Sequence, residues 1–156
     1  MSTLSKQSKC KVEIAVQRLV KKYPFHAHLV AGSQRLEDNV IDTMAVTVRG
    51  CRVLYLYNIE FVAKCTIFEL VGVFHHEVNH VLFGHVLAEP KVFPHRLARI
   101  IAEEVTVNEW VPESLPCHPV LLEDYPQLPA NEDTATRYHK LVKELPDIDL
   151  ELASLV

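Results

Sequence analysis

From Thr66 to Gly84 the chain carries Ile67, Phe68, Leu70, Val71, Val73, Phe74, Val78, Val81 and Leu82. Apolar residues fall there on nearly every side of a 3.6-residue period. That predicts a helix buried at the centre of the fold. Gly84 suits the left-handed position that follows a helix end. The same stretch also contains Glu69, His75, His76, Glu77, Asn79 and His80. So many polar groups argue against a lipid-facing span. Buried without partners they would be costly, so the fold must supply partners.

His76-Glu77-Val78-Asn79-His80 suggests one such partner. Residues four apart share a helix face, so His76 and His80 can aim two imidazoles at one Zn²⁺. Glu77 follows the first histidine, where its carboxylate can reach a water instead of the metal. That pattern points to metal-assisted hydrolysis with Glu77 as general base. The five-residue pattern also arises by chance on surface helices, but this one lies in the most apolar helix of the chain.

A catalytic zinc site needs a third protein ligand. A second helix is expected from about His95 to Trp110, ending before Pro112. With Leu97 at zero on its wheel, Ile101, Val105, Ile100 and Val107 define an apolar face centred near Leu97, and Glu104 falls at ~340° and Asn108 at ~20° on that face. Glu104 is the expected third ligand, with Asn108 orienting it or accepting a ligand histidine's ring N–H. Glu103, at ~240°, is the fallback. The competing reading is a buried Glu104 paired with Arg96, Arg99 or Arg137.

His85 extends the motif, but on a continuous helix it lies ~140° from His80. It can ligate only if the chain turns at Gly84; otherwise it caps the helix or meets solvent. His75 neighbours the first ligand but points elsewhere, as a packed or exposed histidine. Tyr138 or His139 could stabilise an oxyanion, although an ordinary amphipathic helix explains both. A Cys117 thiolate beside His118 could block a zinc and keep the site latent.

The remaining chain reads as one domain over residues 1–156, with a core at about 10–111 and a Pro-rich segment, 112–156, packing on it. Val12, Ala15, Val16, Leu19 and Val20 predict a helix over 10–23, stopped by Pro24. Residues 26–43 are ambiguous, with turns near Gly32 and Asp38-Asn39. Met44–Val48 and Arg52–Tyr57 read as a β-hairpin. Either strand could accept an extended peptide along its edge. Ile59 to Lys64 leads into the next element. A last helix is expected from about Asp133 to Leu145, followed by an acidic tail. The fold class is therefore α+β, with helices packed on a small β-hairpin or sheet. The net charge of −4 and the lack of a Lys/Arg block predict neither nucleic-acid nor membrane partners. The polar start, Met1 to Lys6, has no signal-like apolar region. Cys10, Cys51, Cys65 and Cys117 form no Cys-x-x-Cys pair. The expectation is a cytoplasmic protein with reduced thiols, each a small buried hydrophobe.

Three stretches together resemble a known family. They are Leu54-Tyr-Leu-Tyr-Asn58 with Glu60-Phe61, Glu69 to His85, and Ala102-Glu-Glu104-Val-Thr-Val-Asn108. The chain is similar to the metallopeptidase domain that precedes von Willebrand factor A-like domains in bacterial proteins. Leu128-Pro129 and Thr134 to Leu141 extend the resemblance, which covers roughly residues 40–142. It implies a minimal zincin of the gluzincin kind, a Zn²⁺ cofactor and a peptide or protein substrate. Ile59 stands where the family has Pro, and Glu104 where it has Asp. The von Willebrand domain does not follow in these residues, so the domain is expected to act alone or to meet its partner in trans. The expected activity is peptide-bond hydrolysis, with His76, His80 and Glu104 holding zinc. The alternatives are a catalytically silent zinc- or peptide-binding module and a latent peptidase masked by 112–156.

Overall fold

The computed structural model of the chain describes residues 2–144. The expected acidic tail and the last residue of the C-terminal helix, Leu145, lie outside the described residues. The class is α+β: six α-helices and a three-stranded sheet among the described residues. The described residues form two compact units, one of residues 2–87 with 111–118 and one of residues 88–110 with 119–144. No helix among the described residues is long and apolar enough to cross a membrane.

In the first unit, α1 spans Thr3–Lys22 and buries Val12, Ala15, Val16 and Leu19. It starts well before residue 10 because the Ser2 hydroxyl accepts the Ser5 N–H and caps it. Pro24 does more than stop α1: it opens α2, Pro24–Ala31, where its fixed φ and missing N–H suit a first turn. The ambiguous stretch therefore holds most of α2 and also β1, Gln34–Glu37.

The hairpin forms as expected from β2, Met44–Arg49, and β3, Arg52–Tyr57, with Met44 opposite Tyr57. Gly50, at φ +60°, takes the turn. β1 pairs parallel with β3, Gln34 opposite Leu54, so the order is β1-β3-β2 and β3 is central.

α3, Ile59–Lys64, follows at once. Asn58 Oδ1 accepts the N–H groups of Glu60 and Phe61, at 2.8 and 3.2 Å. At the other end the Lys11 ammonium donates to the carbonyls of Val62, Ala63 and Cys65, a cation where the helix dipole favours one.

α4 spans Ile67–Leu82. Thr66 and Glu69 form a capping box, with Glu69 N–H to Thr66 Oγ1 at 3.1 Å and Thr66 N–H to Glu69 Oε2 at 2.7 Å. Phe83 caps its end and Gly84 turns the chain at φ +76°. Leu70, Val73, Phe74 and Val78 join the core with the buried face of α1, Val30, Tyr55 and Val62. Each fully buried Val or Leu there contributes ~1.5–3 kcal/mol. Of the cysteines only Cys65 is buried; Cys10, Cys51 and Cys117 are exposed, and all four are free thiols.

In the second unit, α5 spans Arg96–Asn108 and α6 spans Thr134–Glu144. Ile101, Val105, Leu128, Tyr138 and Leu141 form its core. Arg137, fully buried, donates to Thr106 Oγ1 (3.0 Å), Glu109 Oε2 (2.5 Å) and the Pro129 carbonyl (3.0 Å). The buried face of α5 is centred nearer Val105 than Leu97. Ala98 and Ala102, too small to weigh in the apolar pattern, lie on it, whereas Ile100 is 39% exposed.

Candidate metal centre

The capping box fixes where α4 begins, and so which way each later residue of that helix points. His76 and His80 come out one turn apart, both half-buried, with Nε2 atoms 3.1 Å from each other and rings 4.7 Å apart. Two imidazole nitrogens at ~2.0–2.1 Å from a tetrahedral zinc stand roughly 3.3–3.4 Å apart. The pair therefore fits a shared ion. Glu104 completes the set: His76, His80 and Glu104 each offer one ligand atom, and these atoms lie within 4.8 Å of one another. Two imidazole nitrogens and one carboxylate oxygen are a donor set that suits a divalent metal ion.

Glu77 is buried on α4 between the two histidines. Tyr55, on the central strand, stacks on Phe74 with ring centres 5.8 Å apart. Its hydroxyl is fully buried with no hydrogen-bond partner. Burial, and then the nearby Glu77 charge, push that phenol well above its ordinary range.

His85 is half-buried, so it keeps part of the solvent contact expected of it, and it takes the turn at Gly84 on which any approach to His80 depended. The chain leaves the helix at Gly84, and His85 opens a short 3₁₀ turn, His85–Leu87. Its Nδ1 comes to 3.0 Å from His80 Nδ1, the nitrogen across the ring from the one that faces His76. His85 does not belong to the group of three. Nor does Glu103, which is half-buried on α5.

The other candidates sit in the second unit. The Asn108 amide donates to the Val120 carbonyl at 2.9 Å. The Tyr138 hydroxyl accepts the His95 N–H at 3.0 Å, at the start of α5, and its ring stacks on Phe93. His139 is exposed. Arg137, one of the three arginines considered for Glu104, is paired with Glu109.

Sequence reasoning had no signal for Glu113. Its carboxylate accepts Lys22 Nζ (2.8 Å), the Tyr23 hydroxyl (2.5 Å) and His75 Nδ1 (3.0 Å). Burial alone would raise this carboxyl, but the three donors hold it down to about 2. Burial keeps His75 below the usual histidine range, against the pull of Glu113. His75 also packs edge-on against His26 and tilted on Tyr23, each with ring centres 4.5 Å apart. Beside this cluster Gly72 lets the 111–118 segment lie against α4. A Cβ there would stand 2.8 Å from the Ser114 carbonyl oxygen and 2.9 Å from Glu113 Cβ.

An α+β protein with a His/His/Glu group on this pattern belongs among candidate metallopeptidases. The comparison with known families agrees: the family described as "Putative metallopeptidase domain" matches residues 7–113, and the chain belongs to it. That match starts and ends earlier than the span of about 40–142 covered by the motif resemblance. It takes in most of α1 and all of α2 through α5, and stops at Glu113, leaving out α6. No curated protein and no solved structure matches the chain.

Proposed function

We propose that the chain is a zinc-dependent peptidase of the zincin kind, with His76, His80 and Glu104 as metal ligands and Glu77 as general base. The observation that carries this reading is the convergence of those three ligand atoms within 4.8 Å, beside a buried carboxylate on the same helix as two of them. When bound, zinc supplies Lewis acidity, lowering the pKa of water and polarising a carbonyl. The chain's own residues do the rest. Glu77 takes the proton of the attacking water on a carboxylate oxygen and passes it to the leaving amine nitrogen. Its burial keeps bulk water from competing for that proton.

The sheet supports a way of holding substrate. β3 is paired on both sides, so of the two hairpin strands only β2 keeps an open edge among the described residues. β2 lies beside α4 and the His85–Leu87 turn. A peptide added along β2 would present its backbone by main-chain hydrogen bonds.

The test is metal analysis and hydrolysis of a mixed peptide library by wild type, Glu104→Ala and Glu77→Gln. We expect wild type to hold one equivalent of zinc. Glu104→Ala should lose it, and Glu77→Gln should keep it while hydrolysis falls ~10²–10⁴-fold. Full zinc occupancy in Glu104→Ala would refute the ligand set. Undiminished hydrolysis by Glu77→Gln would refute the base, and a silent zinc module would show no hydrolysis in any of the three.

A further inference from the structure

We infer that His85 is a positioning residue that sets which nitrogen of His80 carries the proton, leaving His80 Nε2 bare to face a metal. This deepens the metal-site reading above and rests on it. The geometry gives His80 two nitrogen neighbours on opposite sides of one ring: His76 Nε2 at 3.1 Å from its Nε2, and His85 Nδ1 at 3.0 Å from its Nδ1. A neutral imidazole has one N–H and one lone pair. Two nitrogens 3.0 Å apart form a hydrogen bond only when one donates and the other accepts. For the Nδ1 pair there are then two arrangements. If His85 donates, His80 holds its proton on Nε2, pointed at His76, and cannot ligate. If His80 donates from Nδ1 to a bare His85 Nδ1, its Nε2 lone pair is left toward His76 and the Glu104 oxygen. Only the second fits a ligand histidine, and it requires His85 to carry its own proton on Nε2.

The backbone explains why this residue can do it. On an uninterrupted helix His85 would lie ~140° around from His80. Gly84, at φ +76°, breaks the helix and starts the 3₁₀ turn that carries the His85 ring back to His80, with ring centres 5.1 Å apart. Groups that orient ligand histidines through the distal ring nitrogen are worth ~10–100-fold in metal affinity. They are more often carboxylates or backbone carbonyls, whose acceptor role is fixed. A histidine in that place adds a choice that the tautomer must resolve.

The substitutions follow from atom positions. Asn places an amide oxygen near where His Nδ1 stood and keeps an acceptor, whereas Phe keeps the ring and removes it. The experiment has two readouts on the full chain. The first is the nitrogen-15 ring spectrum of His80 in the metal-free protein. We expect the Nδ1–H tautomer in wild type and His85→Asn, and a shift toward Nε2–H in His85→Phe. The second is zinc affinity by chelator competition, expected to fall ~10–100-fold in His85→Phe and to be largely restored in His85→Asn. An Nε2–H tautomer for His80 in metal-free wild type overturns the proposal by itself, even if His85→Phe fails to fold. So does equal zinc affinity in wild type and both variants, an outcome that leaves the metal reading standing. If wild type takes up no zinc, the metal reading fails, and the proposal, which rests on it, falls with it.

Discussion

His75 and His76 are neighbours on α4, about 100° apart around its axis, and they face different worlds. His75 is buried, donates to Glu113 and packs on Tyr23 and His26. His76 is half-buried and turns its Nε2 toward His80. On the first side every polar atom named has a donor or acceptor from the chain itself, so that side closes on the protein. On the second, two nitrogens and a carboxylate oxygen converge in a group that could hold a metal ion. One helix thus has a face that holds the fold in place and a face that carries a candidate metal group. The difference comes from what each histidine is offered: a carboxylate with two other donors on one side, a second imidazole on the other.

The largest effect should come from the face with the candidate metal group. His80→Ala is expected to weaken zinc binding by more than ~100-fold, the scale already reached on losing a group that merely supports a ligand. The metal-free protein should melt close to wild type. Chelator competition and thermal unfolding read the two quantities separately. If unfolding moves as much as zinc affinity, the division between the faces is wrong.

Glu113→Ala should do the reverse. It strands the buried His75 ring and removes three hydrogen bonds, so stability should drop by ~2–3 kcal/mol in urea titration, with metal-free melts matching that order. This loss should depend on pH. The folded carboxyl sits at about 2, below its ordinary 4.5. Its contribution is therefore present above pH ~4.5 and lost as pH falls toward ~2. The gap between wild type and Glu113→Gln, measured at pH 7 and again near pH 3, should narrow at the lower value. An unchanged gap would mean that Glu113 is not held as a carboxylate.

Gly72→Ala tests the same face without touching a charge. A methyl 2.8 Å from the Ser114 carbonyl must push the 111–118 backbone away, at ~1–3 kcal/mol. Calorimetry should show the lowered melting temperature, and a neutral result would mean that the segment sits loosely. The smallest effect is expected from Thr66→Ala, which removes the cap common to both faces and should cost ~1 kcal/mol. Hydrogen exchange of the first turn of α4 would report it.

Features that depend on neighbours in sequence were legible from the residues. The hairpin, α4 with its Gly84 stop, α5 and the His76-Glu77-x-x-His80 spacing were all readable by period and motif. Features that depend on distant partners were not. β1, Gln34-Arg-Leu-Glu37, has little of a buried strand's composition and exists because β3 offers it an edge. α3 is six residues long, held by Asn58 at one end and by Lys11, far off in the chain, at the other. Glu113 lies 38 residues from His75, with no motif to join them. His85 was visible, but spacing left two places open for it, since a single left-handed residue at Gly84 resets the direction of everything after it. On α5 the large apolar residues misplaced the buried face because alanines share it.

The first unit is not one run of chain, since it is completed by residues 111–118 after the chain has left it at 87. A nascent polypeptide that has reached only Leu87 owns every histidine of α4 but no acceptor for His75 and nothing to fit over Gly72. On the ribosome that unit must wait for residue 118 to emerge, by which time the whole of α5, Glu104 included, has already been synthesised.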